Sequence, residues 1–162
     1  MTPERARILF KYNSLKGDLT WAVTTGNGKC KPGMKAGWDR GNGYLRVNFN
    51  RETLEVTTVI WLIVHGRMPI GRIDHKNLDN SDNRLDNLRE STASQNAANR
   101  NVDRRNLFGL KGVSFDRQRN LWKATIMQNY KSILIGRYKS PEEAYDAYIN
   151  KAKELFGEFY RP

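Results

Sequence analysis

A polar tract at residues 71–100 restricts the fold of this chain more than any other feature of the sequence. It is dense in Asn and Asp, yet it carries regularly placed apolar residues, Ile73, Leu78, Leu85 and Leu88. Asn and Asp side chains bond to nearby backbone groups and stabilise turns. The tract therefore predicts a compact, loop-rich site inside a globular chain.

The overall charge favours a polyanionic partner. The chain of 162 residues has 28 Lys and Arg against 17 Asp and Glu, a formal net charge of +11. A protein with this positive charge attracts nucleic acids, but ribosomal proteins and basic membrane-surface proteins have a similar excess of basic residues. Charge alone therefore leaves the partner open, and the motifs must decide it.

Cysteine content and hydropathy exclude several classes of protein. Cys30 is the single cysteine, so an intramolecular disulfide and a Cys-x-x-Cys zinc knuckle are excluded. The longest apolar run, Val59–Val64, is far shorter than the roughly 20 residues of a membrane-spanning helix, and the N-terminus lacks a signal-peptide pattern. We expect a cytoplasmic protein that has no membrane partner.

Local signals predict the elements of the first 100 residues. Residues 1–56 alternate short β-type runs with turn residues, including a turn at Gly26, and predict small antiparallel hairpins. Residues 57–65 predict a short buried helix, and Thr92 with Gln95 predicts a capped helix that runs to about Arg100. The tryptophans of this region, Trp21, Trp38 and Trp61, are expected in the core.

A second module is predicted after a polar, basic linker at residues 101–110. Three short strands, near 113–115, 121–127 and 133–138, form a meander. Ser140-Pro-Glu-Glu then begins a helix that ends at Phe156. The helix presents one apolar face, which is enough to cover one side of a three-stranded sheet.

Charge is distributed unevenly within this second module. Residues 101–139 hold nine Lys and Arg against two acids, whereas residues 140–162 hold three against five. The uncovered face of the sheet is therefore a candidate DNA surface, and a merely solvated face is the alternative. Its candidate residues are Arg117, Arg119, Trp122, Lys123 and Arg137, of which Trp122 fits the core as well as a base contact.

The polar tract contains the groups that phosphodiester hydrolysis requires. Asp74 and Asn96 offer the oxygen ligands that Mg²⁺ prefers, with positions left for substrate oxygens. His75 could take a proton from an attacking water at neutral pH. An ordinary core or surface histidine, within a string of Asx turns, is the alternative that these residues leave open.

The spacing of these residues resembles the HNH endonuclease motif. Asp74-His75 is followed after eleven residues by Asn87 and after eight more by Asn96. The sequence most resembles the phage and intron-encoded homing branch, in which asparagine replaces the motif's final histidine and the fold is a ββα-metal module. The resemblance implies that His75 activates water, that Asp74 and Asn96 bind the metal, and that Asn87 braces the hairpin; Arg84 and Asn99 are further candidates. Many relatives carry His-Arg where this chain has Thr57-Thr58.

Residues 108–159 resemble the Apetala2-type DNA-binding domain. Phe108-Gly-Leu-Lys-Gly-Val-Ser-Phe, Leu121-Trp-Lys-Ala-Thr-Ile and Ile135-Gly-Arg-Tyr-Lys-Ser-Pro-Glu-Glu-Ala carry that resemblance. The family packs three antiparallel strands on one helix and inserts the sheet into the major groove of DNA.

The sequence therefore predicts an α+β protein of two modules, a nuclease at 1–100 and a DNA-binding domain at 111–162. The expected activity is hydrolysis of double-stranded DNA with Mg²⁺ or Mn²⁺, without a small-molecule cofactor, by a monomer or weak dimer. A homing role follows only from the resemblance. The alternatives are a DNA-binding regulator without turnover, which Thr57 favours, and an RNA-binding protein.

Overall fold

The computed structural model describes residues 1–25, 27–39, 41, 43–102, 106 and 108–162, and its contacts divide the chain into two compact units. The first unit is Met1–Glu90 and the second is Ser91–Pro162. The predicted Gly26-Asn-Gly turn is confirmed at Asn27 and Gly28, between the paired residues Thr25 and Cys30. Gly26 itself lies outside the described residues, as do residues 103–105 and 107 of the predicted linker.

The first unit is built from short strands and two helices. In chain order these are α1 (Pro3–Leu9), β1 (Phe10–Asn13), β2 (Asp18–Trp21), β3 (Trp38–Asp39), β4 (Leu45–Phe49), β5 (Glu52–Glu55), α2 (Val56–His65), β6 (Arg72–His75) and β7 (Leu88–Ser91). Strands β1 and β2 pair antiparallel, and β3, β4 and β5 form an antiparallel sheet. Strand β6 pairs with β7. The small hairpins that the sequence predicts are confirmed.

Helix α2 lies in the core of the first unit. Its side chains Val56, Val59, Ile60 and Leu62 are almost completely buried and pack with Phe10 and other residues of one apolar cluster. The helix ends at Gly66, which adopts a left-handed conformation with φ 66°. The short buried helix predicted at residues 57–65 is therefore confirmed.

Two expectations for the first unit are wrong. Residues 3–9 form helix α1 where only hairpins were predicted, because Thr2 Oγ1 accepts a hydrogen bond from the Arg5 amide and Pro3 occupies the first helical position. Trp38 is 41% exposed, so it is not a core residue, because its two-residue strand lies at the edge of the β3–β4–β5 sheet.

The second unit is a three-stranded antiparallel sheet packed on a helix. Its elements are α3 (Ala93–Asn99), β8 (Val113–Asp116), β9 (Leu121–Gln128), β10 (Lys131–Tyr138) and α4 (Pro141–Phe156), followed by a 3₁₀ turn at Gly157–Phe159. Strand β9 is central, and α4 packs against all three strands. The predicted meander and both predicted helices are confirmed.

The core of the second unit lies between α4 and one face of the sheet. Ala144, Tyr148, Ala152 and Phe156 of α4 are buried with Val113, Ala124 and Ile126 of the sheet. Ala98 of α3 joins the same cluster, so the contacts of α3 belong to the second unit. Thr92 and Gln95 form the predicted capping box at the start of α3.

The loop between α2 and β6 is fixed to the end of the first unit by one glutamate. Arg67 binds both carboxylate oxygens of Glu90, at 2.7 and 2.6 Å, and the Ile70 amide donates to Glu90 Oε1 at 2.7 Å. These hydrogen bonds, chiefly the one from Arg67, lower the pKa of Glu90 from 4.5 to about 2.

Replacing Glu90 with glutamine is expected to lower the free energy of unfolding at neutral pH by about 1 kcal/mol, because the pair is partly exposed. The carboxylate has a lower pKa in the folded chain, so its contribution is present above pH 4.5 and is lost as the pH falls toward about 2. Urea unfolding at pH 7, 4 and 2 measures this. The exposed Glu55→Gln is the control; a Glu90→Gln deficit that stays constant at all three pH values would contradict the assignment.

Candidate active site

Asp74 and His75 lie at the end of strand β6. Both side chains are buried, at 5% and 3% exposure. The chain bends immediately afterwards through a turn in which Leu78 takes a left-handed conformation with φ 68°. Adjacent side chains on a strand point to opposite faces of the sheet, so Asp74 and His75 can belong to one site only if the strand bends here.

His75 is held by an asparagine that the sequence analysis did not single out. His75 Nε2 lies 3.0 Å from Asn83 Oδ1, and Asn83 is itself 3% exposed. The Tyr44 ring meets the imidazole edge-on, with 5.9 Å between ring centroids. The imidazole is therefore fixed in orientation by a polar partner and an aromatic neighbour.

Asn87 organises the loop that follows His75. Its Oδ1 accepts from the Asn77 amide at 3.0 Å, and its Nδ2 donates to Asn77 Oδ1 at 3.0 Å and to the Asp82 carbonyl at 2.7 Å. Its own carbonyl accepts from the Lys76 amide at 2.9 Å. These contacts connect both ends of the loop, so they are of the kind expected for a bracing residue.

Asp74 forms a buried ion pair. Arg89 Nε lies 3.0 Å from Asp74 Oδ2, and the two side chains are 10% and 4% exposed. The described residues include no cluster of three or more His, Cys, Asp or Glu side chains able to hold a metal. Asp74 is one buried carboxylate, and it already lies next to the positive charge of Arg89. One carboxylate is enough for Mg²⁺, which binds one or two carboxylates and takes its other ligands from water and substrate phosphates.

The other residues predicted for this site fall in different places. Asn96 is half-buried on α3 and Asn99 is buried near the end of the same helix, both in the second unit. Arg84 is exposed and binds both carboxylate oxygens of Asp82, at 2.8 and 2.7 Å. That pairing lowers the pKa of Asp82 well below its usual range and raises the pKa of Arg84.

The predicted DNA-binding residues of the second unit lie on its sheet and in the turn between β8 and β9. Lys123 pairs in register with Ser114 on one side and Arg137 on the other, in a row opposite to the buried face. Arg117 and Arg119 are exposed in the turn between β8 and β9. Trp122 lies on the helix side instead, where its ring packs against Phe115 and Phe108.

One acidic residue reduces the charge of this face. Asp116 Oδ2 lies 3.1 Å from Arg137 Nε and 3.4 Å from an Arg119 terminal nitrogen. The hydrogen bond from Arg137 lowers the pKa of Asp116, so the carboxylate stays charged at neutral pH. Of the four predicted basic residues on this face, Arg137 and Arg119 are thus partly neutralised.

Residues 56–98 match the HNH endonuclease family. Two curated proteins are similar over longer stretches. An uncharacterized HNH endonuclease of Acanthamoeba polyphaga mimivirus is 30% identical over 130 residues, which cover 77% of this chain and 65% of that protein. Protein 3.8 of Escherichia phage T7 is 30% identical over 103 residues, covering 63% of this chain and 84% of that protein. The chain therefore contains an HNH endonuclease domain and is homologous to an HNH endonuclease.

The HNH match includes α2, β6, β7 and most of α3. The residues predicted for the active site fall within it, except Asn99, which lies one residue beyond its end. The chain spans slightly less than two thirds of the length of the mimivirus relative. No solved structure matches the chain. In the part of the chain that the structure describes, none of the helices has the length and hydropathy needed to cross a membrane.

Thr57, the position at which the chain departs from many HNH relatives, lies in the first turn of α2 and is 5% exposed. The Thr57 side chain is buried within the first unit. Thr57 therefore contributes to the packing of α2. The regulator without turnover stays an alternative prediction.

Proposed function

We propose that this HNH protein is a metal-dependent endonuclease that hydrolyses phosphodiester bonds of double-stranded DNA. The observation that carries the proposal is the buried Asp74-His75 pair at the end of β6, with His75 oriented by Asn83, inside the segment that matches the HNH family. A buried, oriented histidine next to a carboxylate is the minimum that this reaction needs from a protein.

In the proposed reaction each residue has one task. His75 takes a proton from the water that attacks the phosphorus. Asn87 holds the loop after His75 in place. Asp74 would contribute a ligand to a divalent cation, Mg²⁺ or Mn²⁺, which when bound supplies positive charge against the scissile phosphate. Asn96 is the second ligand that the resemblance to the HNH motif implies. Arg89, whose Nε lies 3.0 Å from Asp74 Oδ2, holds that carboxylate in position.

The second unit is proposed to choose the site of cleavage as an Apetala2-type DNA-binding domain. Helix α4 packs on one face of its sheet, Lys123 and Arg137 lie on the other face, and Arg117 and Arg119 are exposed in the adjoining turn. Strands can enter the major groove while basic side chains neutralise phosphates. Trp122 is not part of this proposed surface, since its ring packs on the opposite face.

Replacing Lys123 with glutamine is expected to weaken binding to any duplex DNA and to reduce the dependence of log Kd on log salt concentration by about one unit. Lys153→Gln on α4, an equally conservative change at an exposed lysine, is the control and should leave both quantities unchanged. Fluorescence anisotropy at several salt concentrations measures the slope. Equal slopes for the two variants would place DNA elsewhere on the protein.

The direct test of the proposed activity is a nicking assay. Purified protein is incubated with supercoiled plasmid, and separately with DNA of the source genome, in the presence of Mg²⁺, Mn²⁺ or EDTA. We expect conversion to nicked circles with either metal and none with EDTA, since one active site per chain in a monomer cuts one strand. Binding to both DNAs without cleavage in any metal would overturn the proposal.

The biological setting is proposed to be a phage. Similarity to a T7 protein supports this, and a protein acting on phage or host DNA would work in the host cytoplasm. A homing role, in which cleavage promotes copying of the nuclease's own gene, is the most specific form of the proposal. It predicts that the cleaved sequence lies in an allele that lacks this gene.

A further inference from the structure

The contact between Asn83 and His75 joins two side chains that are both almost fully buried. The distance from Asn83 Oδ1 to His75 Nε2 is 3.0 Å, and the residues are 3% exposed each. We infer that Asn83 is a positioning residue, which fixes both the orientation and the protonated nitrogen of His75. This inference rests on the proposed function, because it concerns how His75 acts as the base.

The chemistry of the contact decides which nitrogen of His75 can accept a proton. A neutral imidazole has one N–H donor and one acceptor nitrogen. The amide oxygen of Asn83 can only accept, so the proton of neutral His75 lies on Nε2 and the acceptor nitrogen is Nδ1. Nδ1 is therefore the nitrogen left to take a proton, and Asn83 can continue to bind the resulting imidazolium through Nε2.

Asn83 is itself fixed by the β1–β2 hairpin. The Tyr12 hydroxyl donates to the Asn83 carbonyl at 2.8 Å. Burial, together with the charges of Asp86 and Asp82, raises the pKa of Tyr12 to about 12, so the hydroxyl keeps its proton at neutral pH. A β carbon at Gly17 would lie 2.7 Å from the Arg84 amide nitrogen and 2.8 Å from the Asn83 carbonyl carbon, which shows how closely the hairpin approaches.

Two substitutions of similar size separate the acceptor from the volume of the side chain. Asn83→Asp keeps an oxygen acceptor at the same place, and we expect its cleavage rate to stay within about 5-fold of the wild type. Asn83→Leu fills the space without an acceptor, and we expect kcat to fall by about 100-fold, as misplacement of a reacting group produces, with KM for DNA little changed. A wild-type rate for Asn83→Leu would overturn the inference.

A double-mutant cycle distinguishes positioning from a general structural effect. If Asn83 acts only through His75, the double variant His75→Ala/Asn83→Leu cleaves no more slowly than His75→Ala alone. If Asn83 serves the fold, the two losses multiply, and the inference is overturned. Circular dichroism and the thermal midpoint of each variant are recorded alongside.

A readout that needs no activity is the imidazole itself. The chain has two histidines, so ¹⁵N-histidine labelling gives two pairs of ring-nitrogen signals, one pair for each imidazole, and His65→Ala assigns them. We expect a slowly exchanging Nε2–H of His75 in the wild type and Asn83→Asp, and its loss in Asn83→Leu if that variant folds. A proton on Nδ1 of wild-type His75 would overturn the inference. If no protein cleaves DNA but this signal is present, the proposed function fails and the positioning contact stands.

Discussion

Replacing His75 with alanine is expected to slow DNA cleavage by about 1,000-fold while DNA binding is retained, because general base catalysis contributes roughly 10²- to 10⁴-fold. His75 is 3% exposed, so alanine also leaves space in the first unit. His75→Asn, which is closer in size, is therefore compared with it. We expect both variants to lose cleavage of supercoiled plasmid and to keep the wild-type Kd for DNA.

His65 provides the matched control for this experiment. It is the last residue of α2, is exposed, and stacks on Trp61 with 3.9 Å between ring centroids. His65→Ala removes the other imidazole of the chain without touching the candidate site, and its cleavage rate should equal that of the wild type. If His75→Ala cleaved as fast as His65→Ala, another group would have to be the base.

The elements that the sequence predicts well are those with strong local signals. Ser140-Pro-Glu-Glu caps α4, and Ser140 Oγ accepts from the Glu143 amide at 3.1 Å in the structure. Thr92 and Gln95 cap α3 in the same way. Helix α1 carried an equally clear signal in Thr2 and Pro3, but the many turn residues nearby favoured hairpins throughout that region. The prediction for residues 3–9 was wrong because it gave the turn residues more importance than the helix cap at Thr2 and Pro3.

The candidate site is predictable only in part, for a physical reason. Asp74 and His75 are neighbours on one strand, so the sequence places them together. Their partners are Arg89 on β7 and Asn83 in the segment between β6 and β7. Both are separated from Asp74 and His75 by several residues of sequence, so the contacts depend on tertiary structure. Asn83 lies in a run of Asn and Asp that is typical of Asx turns, so nothing in its local sequence distinguishes a buried partner from a turn residue.

The same limit applies to the second unit. Strand alternation places Trp122 with Ala124 and Ile126, which is the buried face, and the resemblance to the Apetala2 family favoured a DNA contact. In the structure Trp122 lies on the buried face, as strand alternation predicts. Its ring packs with Phe108 and Phe115, and burying this apolar surface is more favourable than exposing it to water.

Replacing Gly112 with alanine is expected to lower the stability of the second unit by about 3 kcal/mol, combining a left-handed backbone with an overpacked core. Gly112 has φ 75°, and a β carbon there would lie 2.2 Å from a ring carbon of Tyr148 and 2.7 Å from the Thr125 carbonyl oxygen. Tyr148 is 5% exposed in the core, so its ring has little space to move. Hydrogen exchange of the β9 amides, with thermal unfolding, measures the loss.

Gly109 is a control that separates the two causes of this loss. It also has a left-handed backbone, with φ 64°, but among the described residues no atom lies within 4 Å of a β carbon built there. Gly109→Ala should therefore cost only the conformational term, about 1 kcal/mol. If both variants lost the same stability, the close approach of Gly112 to Tyr148 would contribute nothing. DNA affinity and nicking rate are measured for both variants. If Gly112→Ala, but not Gly109→Ala, binds DNA more weakly and still nicks it, then the packing of α4 on the sheet maintains the conformation of the proposed DNA surface.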